Sequence, residues 1–300
     1  MDGSSDAFTL VGAGYRTHRP AVRKKTLRER LKGKPVLALA VFSVIALGCL
    51  FSGLIINHDP TELFLMNVNE APNATFWFGT DSLGRDIYSI IWYGGRASIF
   101  IGLMSAAVIT VIGVAYGCLS GAASGVVDAA MMRAVELLQS VPVLLSLLLI
   151  LSLMGKQNEL TLSLVIGVTG WFALSRIVRS EVRQIRNSEY ILASRCMGAT
   201  FPFIMRRHLI PNFVSAIMFV VISSVSTSMA MEATLSFLGL GLPVDVLSWG
   251  SMLALADRAL LLNSWWVILI PGVFLVVTLL SITSIGHYFR KRSNQGPSNL

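Results

Sequence analysis

Long runs of apolar residues, separated by short polar connections, make up most of this chain. A bilayer core about 30 Å thick is crossed by roughly 20 apolar residues in a helix. Backbone groups in lipid must find partners within the fold, and continuous apolar runs without alternation favour helices over barrel strands. The pattern therefore predicts an all-α membrane protein with six transmembrane helices, at 35–56, 97–120, about 130–154, 160–177, 212–233 and 265–287.

The third run is the least regular of the six. It contains Arg133 and Glu136 near its start and Pro142 in its interior. Because residues three apart on a helix are neighbours, we expect an ion pair between Arg133 and Glu136. Pro142 lacks a backbone N–H, so it predicts either a kink or an unpaired carbonyl, which a gate could use.

Composition agrees with this pattern, and the charges add an orientation. Hydrophobic residues make up 54% of the chain and charged residues 13%, whereas a soluble domain has about 25% charged residues. Most of the 24 lysines and arginines lie in 1–34, 176–207 and 290–292. Basic residues accumulate on the cytoplasmic side, so both termini are predicted to be cytoplasmic, and the connections 57–95, 155–159 and 240–264, which are poor in basic residues, are predicted to be external. The net charge of +8 is then a topology signal, and nucleic-acid binding receives little weight.

Three segments follow from this division. Residues 1–34 form a basic N-terminal extension, 35–290 the six-helix transmembrane domain, and 291–300 a cytoplasmic tail. The first apolar run is longer than a signal-peptide core and follows the basic extension, so we expect a retained anchor. The three cysteines show no CxxC spacing, and neither a disulfide nor a metal site is indicated.

Glycines recur every four residues at Gly113, Gly117, Gly121 and Gly125. Residues at this spacing share one helix face, and small residues let another backbone approach closely. The face is predicted to pack against a neighbouring span of the same chain, with a partner subunit as the less favoured alternative.

A cytoplasmic segment, 189–212, combines small residues, a glycine and a proline. Its residues alone indicate a short helix, a break at Gly198 and a second helix that begins near Pro211. Ala193, Ser194 and Ala199 would give this segment a low-relief surface suited to close docking. An amphipathic helix on the inner leaflet is an equally good interpretation of these residues.

This segment resembles the EAA loop of ABC importer permeases. Ala193, Ser194, Gly198 and Pro211 fall at matching positions, but Leu192 replaces the motif glutamate, and Glu189 lies one turn earlier. In that family the loop is the coupling helix, which docks into an ATPase subunit. The resemblance implies a coupling loop at about 187–211, with these contact residues: Glu189, Tyr190, Ala193, Ser194, Arg195, Gly198, Ala199 and Pro211.

Two further blocks are similar to the dipeptide, oligopeptide and nickel branch of these permeases. One is FGTDSLGRD at 78–86, and the other joins LSFLGLG at 235–241 to WGSML at 249–253. The residues of the first block that carry the resemblance are Gly79, Thr80, Asp81, Gly84, Arg85 and Asp86.

The resemblance implies a type I ABC importer (MetI-like) fold in the bacterial inner membrane. It further implies a multi-pass permease subunit for dipeptides or oligopeptides, with a nickel or metallophore importer as the alternative. The implied partners are a homologous second permease, two ATPase subunits that hold ATP and Mg, an external solute-binding protein and membrane lipid.

The fifth run carries polar residues at Ser224, Thr227, Ser228 and Glu232. Polar groups at this depth need partners in protein or water, so these residues are candidates for a translocation path. The hydroxyls could instead bond to carbonyls of their own helix. Glu232 is as well explained by a structural role at the helix end as by substrate contact.

Motifs of nucleotide binding and of catalysis are absent from the sequence. Neither GxxxxGK[ST], HExxH nor GxSxG occurs, so we expect no enzyme activity in this chain and ATP hydrolysis in a partner. An ion-driven secondary transporter would need charged pairs at mid-membrane and often an inverted repeat, and neither is evident. A membrane scaffold without transport is a third class.

Overall fold

The computed structural model describes residues 34–155, 157–186, 191, 194, 196–200, 203, 210–243 and 245–293. Apart from one isolated bridge between Thr80 and Asp86, the regular structure of these residues is helical. All contacts below lie within the unit Pro35–Leu300. The helices are α1 Val36–Leu50, α2 Ser52–Ile55, α3 Ile87–Ala122, α4 Gly125–Gln139, α5 Val143–Met154, α6 Glu159–Gly170, α7 Phe172–Arg186, α8 Ile210–Phe237, α9 Trp249–Leu253, α10 Ala256–Leu261 and α11 Trp266–Ser293.

Among the described helices, three are long and apolar enough to cross a bilayer: α3, α8 and α11. The number is up to five if the bent pairs α4/α5 and α6/α7 each form one span. The first predicted run gives a helix of 15 residues that ends at Leu50, shorter than a bilayer crossing.

The third predicted run is broken where its proline lies. Helix α4 ends at Gln139 and α5 begins at Val143, with a bend of 79° between them. Pro142 removes a helical hydrogen bond and disfavours the helical conformation of the residue before it. The predicted kink at Pro142 is confirmed. The predicted ion pair is confirmed as well, with 2.8 Å between Arg133 Nη1 and Glu136 Oε2 at the surface.

The fourth predicted run, 160–177, is divided between two helices. It breaks at Trp171 between α6 and α7 with a bend of 47°, and α7 continues to Arg186. The continuation is amphipathic: Leu174, Val178 and Val182 recur every four residues and are buried, while arginines occupy the other face. The apolar run ends before the amphipathic part of the helix, so the sequence pattern underestimates the length of this helix.

The repeated glycines of α3 face α7 of the same chain. A Cβ atom on Gly117 would lie 2.6 Å from the carbonyl oxygen of Ser175, and one on Gly121 would lie 2.8 Å from Val182 Cβ. The predicted internal packing of this face is confirmed. Gly125 is a correction, because α3 ends at Ala122 and Gly125 begins α4 with no atom near its Cβ position.

Large apolar side chains also stay exposed on several helices, as at Leu37, Leu153 and Leu280. A continuous apolar exterior is unusual in a water-soluble monomer and is expected where helices face lipid.

Candidate functional site

The FGTDSLGRD block, residues 78–86, is a compact turn region held by buried polar contacts. Asp81 accepts hydrogen bonds from the backbone N–H of Arg85 at 2.9 Å and from Arg85 Nε at 2.8 Å. Thr80 donates through Oγ1 to the carbonyl of Asn67, and its own carbonyl accepts from Trp266 Nε1 at 3.2 Å. The block is thereby fastened to the start of α11.

The two glycines of this block occupy positions that other residues would strain. Gly79 and Gly84 have φ of 76° and 79°, a region that residues with a Cβ rarely adopt. Added Cβ atoms would lie 2.5 Å from the carbonyl oxygens of Glu70 and Phe64, respectively. The block therefore needs glycine at both positions to adopt this conformation.

Asp86, the last residue of the block, starts the longest helix. Its Oδ2 accepts from the backbone N–H of Ser89 at 3.1 Å and forms the N-cap of α3. This cap explains why α3 begins ten residues before the predicted span at 97–120. The structure thus brings all six predicted block residues together as a structural unit at the start of α3.

Glu232 is fully buried, and its carboxyl group is enclosed by serines from three parts of the chain. Ser248 donates to Oε1 at 2.8 Å, Ser236 to Oε1 at 3.1 Å and Ser98 to Oε2 at 3.3 Å. A carboxylate offers only acceptors, which suits three hydroxyl donors. We name these four residues the carboxylate clamp.

Each serine of the carboxylate clamp also accepts a hydrogen bond from a backbone N–H. The N–H of Trp249 donates to Ser98, that of Leu242 to Ser236 and that of Ser251 to Ser248. The hydroxyl protons must then point toward Glu232. The clamp joins α3, α8 and the start of α9, and it could not be found from sequence because its partners lie up to 134 residues apart.

The hydroxyls predicted for a path line a cavity of about 360 Å³ between α4, α5, α6, α7 and α8. Ser224 and Thr227 donate back to the carbonyls of Val220 and Ser223, at 2.8 and 3.0 Å. The buried hydroxyls of Ser223 and Ser228 have no hydrogen-bond partner in the described part of the chain.

Glu232 does not line this cavity, because its carboxyl group is occupied by the carboxylate clamp. The structure therefore groups Ser224, Thr227 and Ser228 and sets Glu232 apart from them. The cavity lies at both helix breaks: Gln139 and Val143 flank the first break, and Gly170 and Phe172 the second.

The predicted coupling segment has a buried base and an exposed turn. Ile191 and Ser194 are buried, and Ala199 packs against the apolar cluster of α3, α4 and α7. The N–H of Ala199 donates to the carbonyl of Ser194 at 3.1 Å. Gly198 has φ of 83° with open space at its Cβ position, and Met197 is 81% exposed.

Four of the predicted coupling residues lie outside the described residues: Glu189, Tyr190, Ala193 and Arg195, as does Leu192. Pro211 is the second residue of α8, where its missing N–H costs no helical hydrogen bond.

An ion cluster that the sequence did not suggest connects α4 with α3 and α7. Asp128 of α4 accepts bonds from both Arg179 and Arg183 of α7, the latter at 2.6 Å from Nη1, and from Ser120 of α3 at 2.6 Å. Arg186 donates from Nη1 to the carbonyl of Ala122 at 2.8 Å. The charges counted above as a topology signal also tie α3, α4 and α7 together.

Several long apolar helices and two broken helix pairs define a polytopic membrane protein. A family model described as "binding-protein-dependent transport system inner membrane component" matches residues 113–295. The chain belongs to this family and is an inner-membrane transport component.

Proteins similar to this one cover most of the chain. The oligopeptide transport system permease protein OppC of Bacillus subtilis is 35% identical over 88% of this chain and 86% of its own length. The dipeptide transport system permease protein DppC of the same organism is 39% identical over 76% of this chain and 71% of its own. The probable D,D-dipeptide transport system permease protein DdpC of Escherichia coli is 29% identical over 87% of each.

Proposed function

We propose that this chain is the transmembrane permease subunit of an ATP-driven importer that carries dipeptides or oligopeptides. Its relatives are named as oligopeptide and dipeptide permeases, and they are similar over most of the chain. Residues 35–290 form a six-span domain, with the extension 1–34 and the tail 291–300 on the cytoplasmic side. The distribution of basic residues supports this orientation.

The observation that carries the proposal is the exposed turn at Met197 and Gly198. A large apolar side chain stands in solvent here, beside a glycine whose Cβ position is open, on a base anchored by buried Ile191. Exposed apolar side chains on an ordered base are typical of docking surfaces. The coupling residues named above are proposed to contact an ATPase subunit through this turn.

The translocation path is proposed to pass the cavity that Ser224, Thr227 and Ser228 line. A cavity that borders two helix breaks changes shape when either helix pair straightens or bends further. Movement of the coupling segment reaches these helices through the packing of Ile191 in the apolar cluster of α3, α4 and α7. Glu232 serves this path as a fixed support of α8 and does not contact the substrate.

The proposed complex contains a homologous second permease, two ATPases and an external solute-binding protein. ATP and Mg are held by the ATPases, because this sequence has no nucleotide-binding motif. The chain itself binds no cofactor and catalyses no reaction in this proposal.

The test is dipeptide uptake by the assembled importer with the substitution Gly198→Val. The strained φ and the added side chain should block docking, abolishing uptake while the chain still inserts and the permease pair still purifies. Gly155→Val is the matched control, because Gly155 has φ of 75° and an equally open Cβ position in a predicted external loop. Equal uptake by the two variants would contradict the proposed coupling role.

A further inference from the structure

A second, larger cavity lies near the N-terminal end of α3. Its volume is about 800 Å³, and its lining includes Tyr93, Arg96 and Phe100 of α3. Its remaining walls come from Thr61, 158–160 and 245–247, which belong to the three connections predicted to be external. Arg96 and Gly121 are separated by about 38 Å along α3 at 1.5 Å per residue, more than the thickness of a bilayer core. We name this cavity the external basin.

Charges of both signs line the external basin without pairing to each other. The guanidinium of Arg96 stacks over the ring of Tyr93, 4.0 Å from its centroid, and Nε donates to the Tyr93 carbonyl at 3.3 Å. Its terminal nitrogens have no hydrogen-bond partner within the described residues. Glu159 and Asp245 form no ion pair there either.

The walls that carry these groups are fixed by the fold. Asn158 caps α6 in a capping box with Thr161, which holds Glu159 in the first turn. A Cβ on Gly94 would lie 3.1 Å from the backbone of Leu247, so the segment after Asp245 packs tightly on α3. Ser248 then enters the carboxylate clamp. The backbone that carries Glu159 and adjoins Asp245 is therefore held in place by the fold.

We propose that the external basin binds the two charged ends of a free peptide. Arg96 receives the terminal carboxylate through its unused nitrogens, and Glu159 with Asp245 receives the terminal ammonium. The apolar side chains of Phe100 and Leu160 provide a surface for peptide side chains. A cavity of this size is in the range of small-molecule sites, which span about 300–1,000 Å³. The proposal rests on the proposed function. It states that this chain recognises the two charged termini of the peptide.

The direct test is binding of dialanine to the purified importer without its binding protein. Binding is measured by titration with saturation-transfer NMR. Dialanine should bind more tightly than either N-acetyl-dialanine or dialanine amide. Arg96→Gln should weaken dialanine binding about tenfold and remove the preference over the amide. Glu159→Gln combined with Asp245→Asn should remove the preference over the acetylated peptide. Arg133→Gln, an exposed arginine on α4, is the control and should change nothing.

Equal binding of the three peptides to the unsubstituted complex would overturn the proposal, as would identical behaviour of the Arg96 and Arg133 variants. Uptake into proteoliposomes with loaded binding protein distinguishes a peptide-binding site from a docking surface for the binding protein. If the basin variants change only the concentration of binding protein at half-maximal uptake, the basin is a docking surface and the proposal is wrong. Failure of the unsubstituted complex to import dialanine that it binds would instead contradict the proposed function.

Discussion

Replacing Glu232 by alanine should destabilise the protein strongly, although this carboxylate lies outside the cavity. The substitution removes the acceptor of three serine hydroxyls that are held in place by backbone N–H donors. Glu232 is fully buried, so bulk solvent does not take the place of the lost carboxyl group. The three donors would be left without a partner, next to a new void.

The magnitude follows from the three bonds. A hydrogen bond to a charged group contributes about 1.5–3 kcal/mol, so at the lower value the alanine variant should lose about 4.5 kcal/mol of stability. With about 2–4 °C per kcal/mol in domains of 150–250 residues, the apparent Tm should fall by roughly 10–20 °C. Glu232→Gln keeps Oε1 for Ser236 and Ser248 and disturbs only Ser98, so it should lose about 1–2 kcal/mol.

The assay is the thermal stability of the purified permease pair in detergent. The apparent Tm is determined from the fraction that stays monodisperse after heating. Thr234→Ala on the same helix is the matched control, because its exposed hydroxyl bonds only to the carbonyl of Ala230. Its apparent Tm should stay within about 2 °C of the parent. An alanine variant at Glu232 as stable as this control would refute the account of the carboxylate clamp.

Two further substitutions test the packing of α7. Gly117→Val places a side chain 2.6 Å from the Ser175 carbonyl oxygen, so it should cost about 3 kcal/mol by overpacking and lower the accumulation of folded chain in membranes, whereas Gly125→Val should accumulate normally. Asp128→Asn leaves two arginines without their anion and should cost about 2 kcal/mol in the same thermal assay, with Glu136→Gln as the exposed control; equal Tm values for these two would contradict the role of the ion cluster.

The local features of the fold could be predicted from sequence because their causes are local. Pro142 breaks a helix through its own missing N–H, and the glycines of α3 show their spacing directly. The extension of α3 back to Ile87 was missed because its cap at Asp86 precedes a stretch with mixed polarity. The bend at Trp171 has no proline beside it, and Gly170, where α6 ends, is one of several glycines within the apolar runs and did not by itself indicate a break.

The candidate sites were predictable to a smaller extent, because they depend on distant contacts. Ser98, Ser236 and Ser248 are ordinary serines until the fold places them around Glu232. Asp128 carried no signal among many charged residues, although its partners in α7 lie 51 and 55 positions away. The turn at Gly198 stood out because a glycine between helices is a local signal for a left-handed conformation.

We propose that this chain moves peptides only as part of an ATP-driven complex. The measurement that tests it most directly is uptake of labelled dialanine into proteoliposomes that contain the permease pair and loaded external binding protein, with and without the ATPase subunits. Uptake should require both the ATPases and ATP. Equal uptake by the permease pair alone would contradict the account.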